Sequence, residues 1–341
     1  MSTSTLALVE SPVQLLHVLE WCYATGAAHR TRIAVLAPSD EIGRAQLRTM
    51  LDFAGEEEIE TTWHDPRRGV VSLAQTVASF AGVLARTHRL VVGDPFSGLI
   101  QAMLPFASAS EVVVVDDGTA TLEFTSQLAQ ERPLTRWDSR GDSWSRRLRA
   151  PFGSSARRFF SPSIHRSITM FTVMPVTPAR GVVVRPNRYD WTRGRFPSPE
   201  VHRGTDIIGT SLVESGVVES EAYLQAVELL ASGPNRGRYY AHRREGAEKL
   251  RQVAERTGLT VVRPDVPLEV ELRRGPVAQQ VISFPSSVAY TLPMVLRSVA
   301  SRVTIVDIDP AWIRQDVGQN ARGFLSSMTE QARRQLRAPA A

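Results

Sequence analysis

Val112-Val113-Val114-Val115-Asp116-Asp117-Gly118-Thr119 is an unbroken β-branched run that ends in two carboxylates and a glycine. Four successive valines leave no polar face, so the run reads as a strand buried on both sides within a parallel sheet. The acids then fall at its carboxyl end, where open α/β sheets place their ligands. Two adjacent acids in a partly buried turn cannot both ionise cheaply, which makes one of them a candidate proton acceptor near neutrality. The same letters also spell an ordinary Asp-Asp-Gly turn with solvated or helix-capping side chains.

Working outward, short apolar runs at 6–9, 33–36, 90–92 and 112–115 alternate with amphipathic stretches at 12–24, 41–53, 71–85 and 96–107. That is the pattern of βαβ winding. It breaks at about 126–167 into arginine, serine and proline with scattered aromatics, returns at 168–173, and breaks again at Pro175, Pro178 and the polar stretch 185–199. A second series follows, with strands expected at 206–208, 238–240, 259–262, 281–282 and 303–306. Helices are expected at 220–231, 245–257 and 286–300 and in the tail from Gln319. At 341 residues the chain exceeds the size of one comfortable core. The expectation is two α/β domains, 1–180 and 181–341, joined through 176–204, with the 126–167 segment inserted in the first.

Composition excludes several classes. Charged residues make up 22% and apolar residues 43%, so the chain is neither disordered nor membrane-embedded. The net charge of +5 is carried by arginine, with Lys249 the single lysine. Such a bias follows base composition as readily as function, so nucleic-acid binding is not inferred from it. Cys22 is the only cysteine. It excludes an intrachain disulfide and a thiolate metal site, fits a reducing compartment, and sits on an apolar helical stripe as core filler. Met1-Ser-Thr-Ser-Thr leads into a strand-length run without the basic start or small-residue cleavage site of a signal peptide, and no apolar run approaches ~20 residues, so a cytoplasmic protein is expected.

The second half holds three candidate segments. Arg238-Tyr239-Tyr240-Ala241-His242-Arg243-Arg244-Glu245 puts His242 just past a strand, beside guanidiniums that favour an anionic ligand; a surface-loop histidine is the alternative. Ile282-Ser283-Phe284-Pro285-Ser286-Ser287-Val288 runs from strand through turn into a helix, so Ser286 and Ser287 offer hydroxyls and free N–H groups at its positive end. Capping explains one serine and does not require two. Gly209-Thr210-Ser211 after a strand lets the backbone approach a ligand. Glu269, in Pro267-Leu268-Glu269, either accepts bonds from ribose hydroxyls or favours a helix dipole.

In this order the segments resemble the bacterial sialyltransferases and polysialyltransferases that use CMP-activated nonulosonic acids. That family has an acid-acid-glycine motif, a His-Pro motif and a paired-serine motif. The matching positions are Asp116-Asp117-Gly118, His242 and Ser286-Ser287, and Glu10-Ser11-Pro12-Val13-Gln14 is similar to the family's opening. Arg243 stands where the family has proline, and 126–200 has no counterpart.

The resemblance implies a GT-B fold, two Rossmann-like domains facing across a cleft, and inverting transfer without metal or cofactor. Asp117, or Asp116, would be the base, with His242 on the departing phosphate. Ser286, Ser287, Gly209, Thr210, Ser211, Arg243 and Glu269 would hold the CMP-sugar, and Ser11, Gln14 and Gly118 the acceptor. Loops 11–14 and 93–97 would help shape the acceptor side. A metal held by the two aspartates would lack a second carboxylate cluster. The expected partners are a CMP-activated acidic sugar and a glycan or lipid-linked glycan acceptor of a cell-surface or capsule polysaccharide, with no nucleic acid. A non-catalytic nucleotide- or glycan-binding subunit and a transferase using a CDP- or UDP-linked donor are the alternatives. The arginine and aromatic segment from Arg136 to Phe160 reads as a solvated insertion, or as a surface for a growing acidic glycan or for anionic lipid at the inner face of the cell membrane.

Overall fold

The computed structural model describes residues 4–136, 153–233, 236–317 and 330. The chain divides into two compact units, Met1–Trp191 and Thr192–Ala341. Residues 137–152 of the arginine and aromatic segment, and the tail expected to be helical from Gln319, lie outside the described residues except for Glu330.

The first unit is built on seven strands: β1 Thr5–Val9, β2 Thr31–Leu36, β3 Glu60–His64, β4 Arg89–Val92, β5 Glu111–Val115, β6 Ser167–Thr172 and β7 Val182–Pro186. They form one parallel sheet in the order β3-β2-β1-β4-β5-β6-β7. The four valines of β5 are all buried, as an internal strand covered on both faces requires. Helices α1 Pro12–Thr25, α2 Glu41–Glu56, α3 Val70–Leu84, α4 Gly98–Met103 and α5 Ala120–Ala129 supply the crossovers between successive strands. Strand order reverses between β1 and β4, so the topological switch point lies where those two strands end.

Several elements differ from the expectation. Strand β3, Glu-Thr-Thr-Trp-His, has no fully buried residue and no apolar run to announce it. Strand β7 falls in the stretch read as the start of the linker; it is an edge strand with Val183 and Val184 exposed. Beyond it, Tyr189 and Trp191 are buried. The Tyr189 hydroxyl meets His17 Nε2 at 2.8 Å, and Trp191 donates its N–H to Glu20 and its indole N–H to Glu57. Burial of two large aromatics clamps this segment onto the first unit. The expected helix at 96–107 shortens to α4 because Ser97 caps it by accepting from the Ile100 N–H, and a 3-10 turn, Leu104–Phe106, follows. Within the arginine and aromatic segment, 153–159 is helical, Phe159 and Phe160 are in the core, and the Arg166 guanidinium lies 4.0 Å over the Phe159 ring.

The second unit repeats the arrangement with β8 Val201–Ile208, β9 Arg236–Tyr240, β10 Thr260–Val262, β11 Val277–Ser283 and β12 Arg302–Ile305, all parallel, in the order β10-β9-β8-β11-β12. Asp206, fully buried, accepts from the N–H groups of Arg238 and Ala278 at 2.8 and 2.9 Å. It thereby satisfies the backbone where β8 loses register with both neighbours. The switch point here lies between the ends of β8 and β11, directly before Gly209 and Phe284. The helix expected at 286–300 is Val288–Val295, and the one expected at 245–257 begins at Ala247. Cys22 is buried on α1, its thiol pushed up to about 12 by burial, as befits core filler.

Candidate functional site

At the carboxyl end of β5 the two aspartates part company. Asp116 is completely buried. Its carboxylate accepts from Thr172 Oγ1 at 2.5 Å and from the Val173 N–H at 2.8 Å, and its carbonyl accepts from His17 Nδ1 at 2.7 Å. Burial pushes its carboxyl above the usual range, against these hydrogen bonds and the His17 imidazole. Its bonds join β5 to β6 and α1. Asp117 keeps 18% of its side chain exposed, and its Oδ2 lies 3.2 Å from Arg136 Nη2. Gly118 adopts φ +61, the left-handed conformation that turns the chain just after the two acids.

Two further acids converge on the same sheet edge. Glu10 follows β1 and Asp94 follows β4 by two residues, so both stand at the switch point. Arg136 Nη2 is 2.7 Å from Asp94 Oδ2 and therefore bridges Asp94 and Asp117. Glu10 pairs with Arg67, whose guanidinium also donates to the carbonyls of Leu36 and Ala37. Burial, reinforced by the Asp117 charge, raises Asp94 to about 7, although Arg136 opposes it. Burial likewise lifts Glu10, against the pull of Arg67 and a hydrogen bond from Ser97. Next to Arg67 and Ser97 opens a groove of about 540 Å3 lined by Pro66, Gly69, Val70, Leu73, Gly98 and Leu99.

Ser11 and Gln14 hold this edge in shape. Ser11 caps α1 by accepting from the Gln14 N–H at 3.3 Å. Gln14 is buried, accepts from the Glu10 N–H at 2.8 Å, and lies so close over Gly93 that a Cβ there would meet its Cγ at 2.4 Å.

In the second unit, His242 follows β9. Its N–H donates to Glu245 Oε2 at 2.6 Å, and its Nδ1 accepts from the Arg244 N–H at 3.2 Å. Nδ1 is thus the lone-pair nitrogen, and in the neutral ring the proton rides on Nε2. Desolvation first, then the charges of Arg243, Arg244 and Lys249, depress this imidazole to about 4, so it is neutral at pH 7 and offers an Nε2–H donor. Arg243 is half-buried, and its carbonyl accepts from Arg263.

Behind His242 lies a buried network. Glu245 accepts from the Tyr239 hydroxyl at 2.5 Å and from Lys249 Nζ at 2.8 Å; Tyr239 and Tyr223 share a hydroxyl contact at 2.7 Å. Lys249 also donates to the Thr210 carbonyl at 2.8 Å and lies 3.3 Å from Glu214. The single lysine therefore ties the 209–214 loop to the helix Ala247–Thr257. Gly209 is required for this packing, since a Cβ there would sit 2.1 Å from Glu245 Oε2. Thr210 and Ser211 are half-buried.

Ser286 and Ser287 precede the helix Val288–Val295. Neither side chain caps it; the Ser287 carbonyl accepts from the Tyr290 and Thr291 N–H groups instead. The Ser286 hydroxyl is buried and has no hydrogen-bond partner, and four residues on the Tyr290 hydroxyl is in the same state. Glu269 is buried in the first turn of the helix Leu268–Arg274, and one of its oxygens accepts from Thr291 at 2.8 Å. Among the described residues no group of three or more His, Cys, Asp or Glu side chains is arranged to hold a metal ion, and no helix is long and apolar enough to cross a membrane.

No protein-family model and no curated protein matches the sequence. Solved structures resemble its fold. An alpha/beta-galactoside alpha-2,3-sialyltransferase from the luminous marine bacterium Photobacterium phosphoreum is similar over 97% of this chain and 95% of its own, with a TM-score of 0.54 and 12% identity. A UDP-GlcNAc 2-epimerase from Neisseria meningitidis, bound to UDP-GlcNAc, is similar over 98% of this chain and 95% of its own, with a TM-score of 0.50 and 12% identity. The class is accordingly an α/β fold of two Rossmann-like units, the GT-B type. At such identities the likeness defines the fold and leaves the chemistry to the residues.

Proposed function

We propose that this chain is an inverting glycosyltransferase that moves a nonulosonic acid from a CMP-linked donor to a glycan hydroxyl. The first unit supplies the proton acceptor and the second the nucleotide site. The observation that carries the reading is the Ser286 hydroxyl, buried and unpartnered at a helix N-terminus beside the switch point of the second sheet. A buried hydroxyl without a partner costs free energy in the folded protein, and a phosphate oxygen would satisfy it together with the free N–H groups of that helix end.

In the proposed step Asp117 accepts the acceptor's hydroxyl proton as that oxygen attacks the anomeric carbon. The bond from that carbon to the phosphate oxygen breaks, and its electron pair leaves with CMP. Neutral His242 donates Nε2–H to a phosphate oxygen, and Ser286 and Ser287 take further charge. Glu269, with one oxygen committed to Thr291, turns the other to the ribose. Thr210, Ser211 and Arg243 line the donor side. Ser11, Gln14 and Gly118 fix the backbone on the acceptor side, beside the groove at Arg67.

Calorimetric titration of CMP, CDP and UDP tests the nucleotide. Tighter binding of CMP supports the reading; preference for UDP would move the donor to a UDP-linked sugar, and absence of binding by all three would remove the transferase reading.

A further inference from the structure

The proposed chemistry leaves unexplained why a second acid shares the cation of Asp117. Asp94 sits in a tight turn after β4. Its Oδ1 accepts from the Phe96 N–H at 2.9 Å and its carbonyl from the Ser97 N–H, so its backbone and one carboxylate oxygen are fixed. Only Oδ2 is left to meet Arg136, at 2.7 Å against 3.2 Å for Asp117. The shorter contact belongs to the more buried acid, whose side chain is 11% exposed against 18% for Asp117.

We infer that Asp94 is a positioning residue for Asp117: through Arg136 it determines whether the Asp117 carboxylate is gripped by the guanidinium or left open to a substrate hydroxyl. This rests on Asp117 being the base. The charged groups acting on Asp94 are Asp117 after β5, Arg136 and Glu10 after β1, and Glu10 is itself paired with Arg67 after β3 and hydrogen-bonded by the neutral Ser97 hydroxyl. Ionised Asp94 competes for Arg136, which leaves the Asp117 carboxylate open to a substrate hydroxyl. Protonated Asp94 surrenders the guanidinium to Asp117, whose carboxylate is then gripped. Burial, with the Asp117 charge, holds Asp94 at about 7, so the exchange falls near neutral pH.

The test has two arms. In the first, carboxyl-labelled aspartate is followed by NMR across pH 5 to 9 without substrate. In wild type the Asp94 and Asp117 resonances move together near pH 7; in Arg136→Gln, which leaves Asp94 and its direct charge in place, the Asp117 response loses the part that the shared guanidinium carries and changes measurably in size. Independent movement of the two in wild type overturns the inference. In the second, kcat in wild type rises with pH through about 7, whereas Asp94→Asn loses that rise and is about tenfold slower at pH 8, with donor KM unchanged. Arg136→Lys, which keeps the charge, retains the rise. An unaltered pH profile in Asp94→Asn overturns the inference. Failure of every CMP-sugar to turn over in wild type counts against the proposed transfer alone, because the NMR arm still decides the relation between the three side chains.

Discussion

Asp116 and Asp117 are adjacent in sequence and opposite in setting: Asp116 is wholly buried and bonded to Thr172 and the Val173 N–H, whereas Asp117 is partly exposed and reaches Arg136. Loss of each should therefore be read out differently. Asp117→Ala is expected to lower turnover at least about a hundredfold with little change in nucleotide affinity or melting temperature. Asp116→Ala strands two buried donors and is expected to cost about 1–3 kcal/mol of stability. Steady-state kinetics beside thermal unfolding of both variants separates the roles; full activity in Asp117→Ala removes it as the base.

The paired serines give a second contrast. Because the Ser286 hydroxyl has no hydrogen-bond partner in the free protein, replacing Ser286 and Ser287 by alanine should leave unfolding unchanged or slightly improved. The same double variant should bind CMP about tenfold more weakly by calorimetry. Unchanged affinity would refute the phosphate assignment.

Lys249 is the hub of the second unit's polar network. Lys249→Met leaves Glu245 buried without its cation and the Thr210 carbonyl without its donor. A loss of about 3–5 kcal/mol in urea unfolding is expected, accompanied by weaker nucleotide binding as the 209–214 loop loosens. An m-value and midpoint equal to wild type would contradict the role assigned to it.

His242 gives a pH dependence with a defined sign. Its folded value of about 4 lies below the ordinary 6.5, so between these limits the unfolded chain binds a proton that the folded chain does not. Stability contributed by this group is full above about 6.5 and falls as pH drops toward 4. His242→Gln should flatten that part of the profile, measured as unfolding free energy from pH 7.5 to 4.5. A profile superimposable on wild type would show that the imidazole is not held neutral by the fold.

Much of this site was legible in the letters. The valine run placed the Asp pair at a sheet edge, and strand-to-helix junctions placed His242, Ser286 and Gly209 in the same way. What stayed hidden were partners that only the sheet order brings together. Glu10 and Asp94 stand more than 80 residues apart in sequence yet share a switch point because β1 and β4 are neighbours. Both follow strands, so listing every acid just beyond a strand would have found them; Arg67 and Arg136, in polar turns, offered no such mark. Strand β3 escaped because an edge strand needs no apolar run; the Val182-Val183-Val184 run of β7 reads as linker because Pro175, Pro178 and the polar stretch 185–199 flank it. The 187–191 segment read as linker because the preceding Pro186 and its polar residues Asn187, Arg188 and Asp190 masked the two aromatics, Tyr189 and Trp191, that anchor it.

The most direct measurement is CMP release from a panel of CMP-linked nonulosonic acids, with and without a glycan acceptor, coupled to product masses for wild type and Asp117→Ala. Acceptor-dependent release by wild type, with the acceptor gaining the mass of the donor sugar and the variant slowed at least about a hundredfold, is the predicted result. No release from any donor, or equal release by Asp117→Ala, would contradict the account.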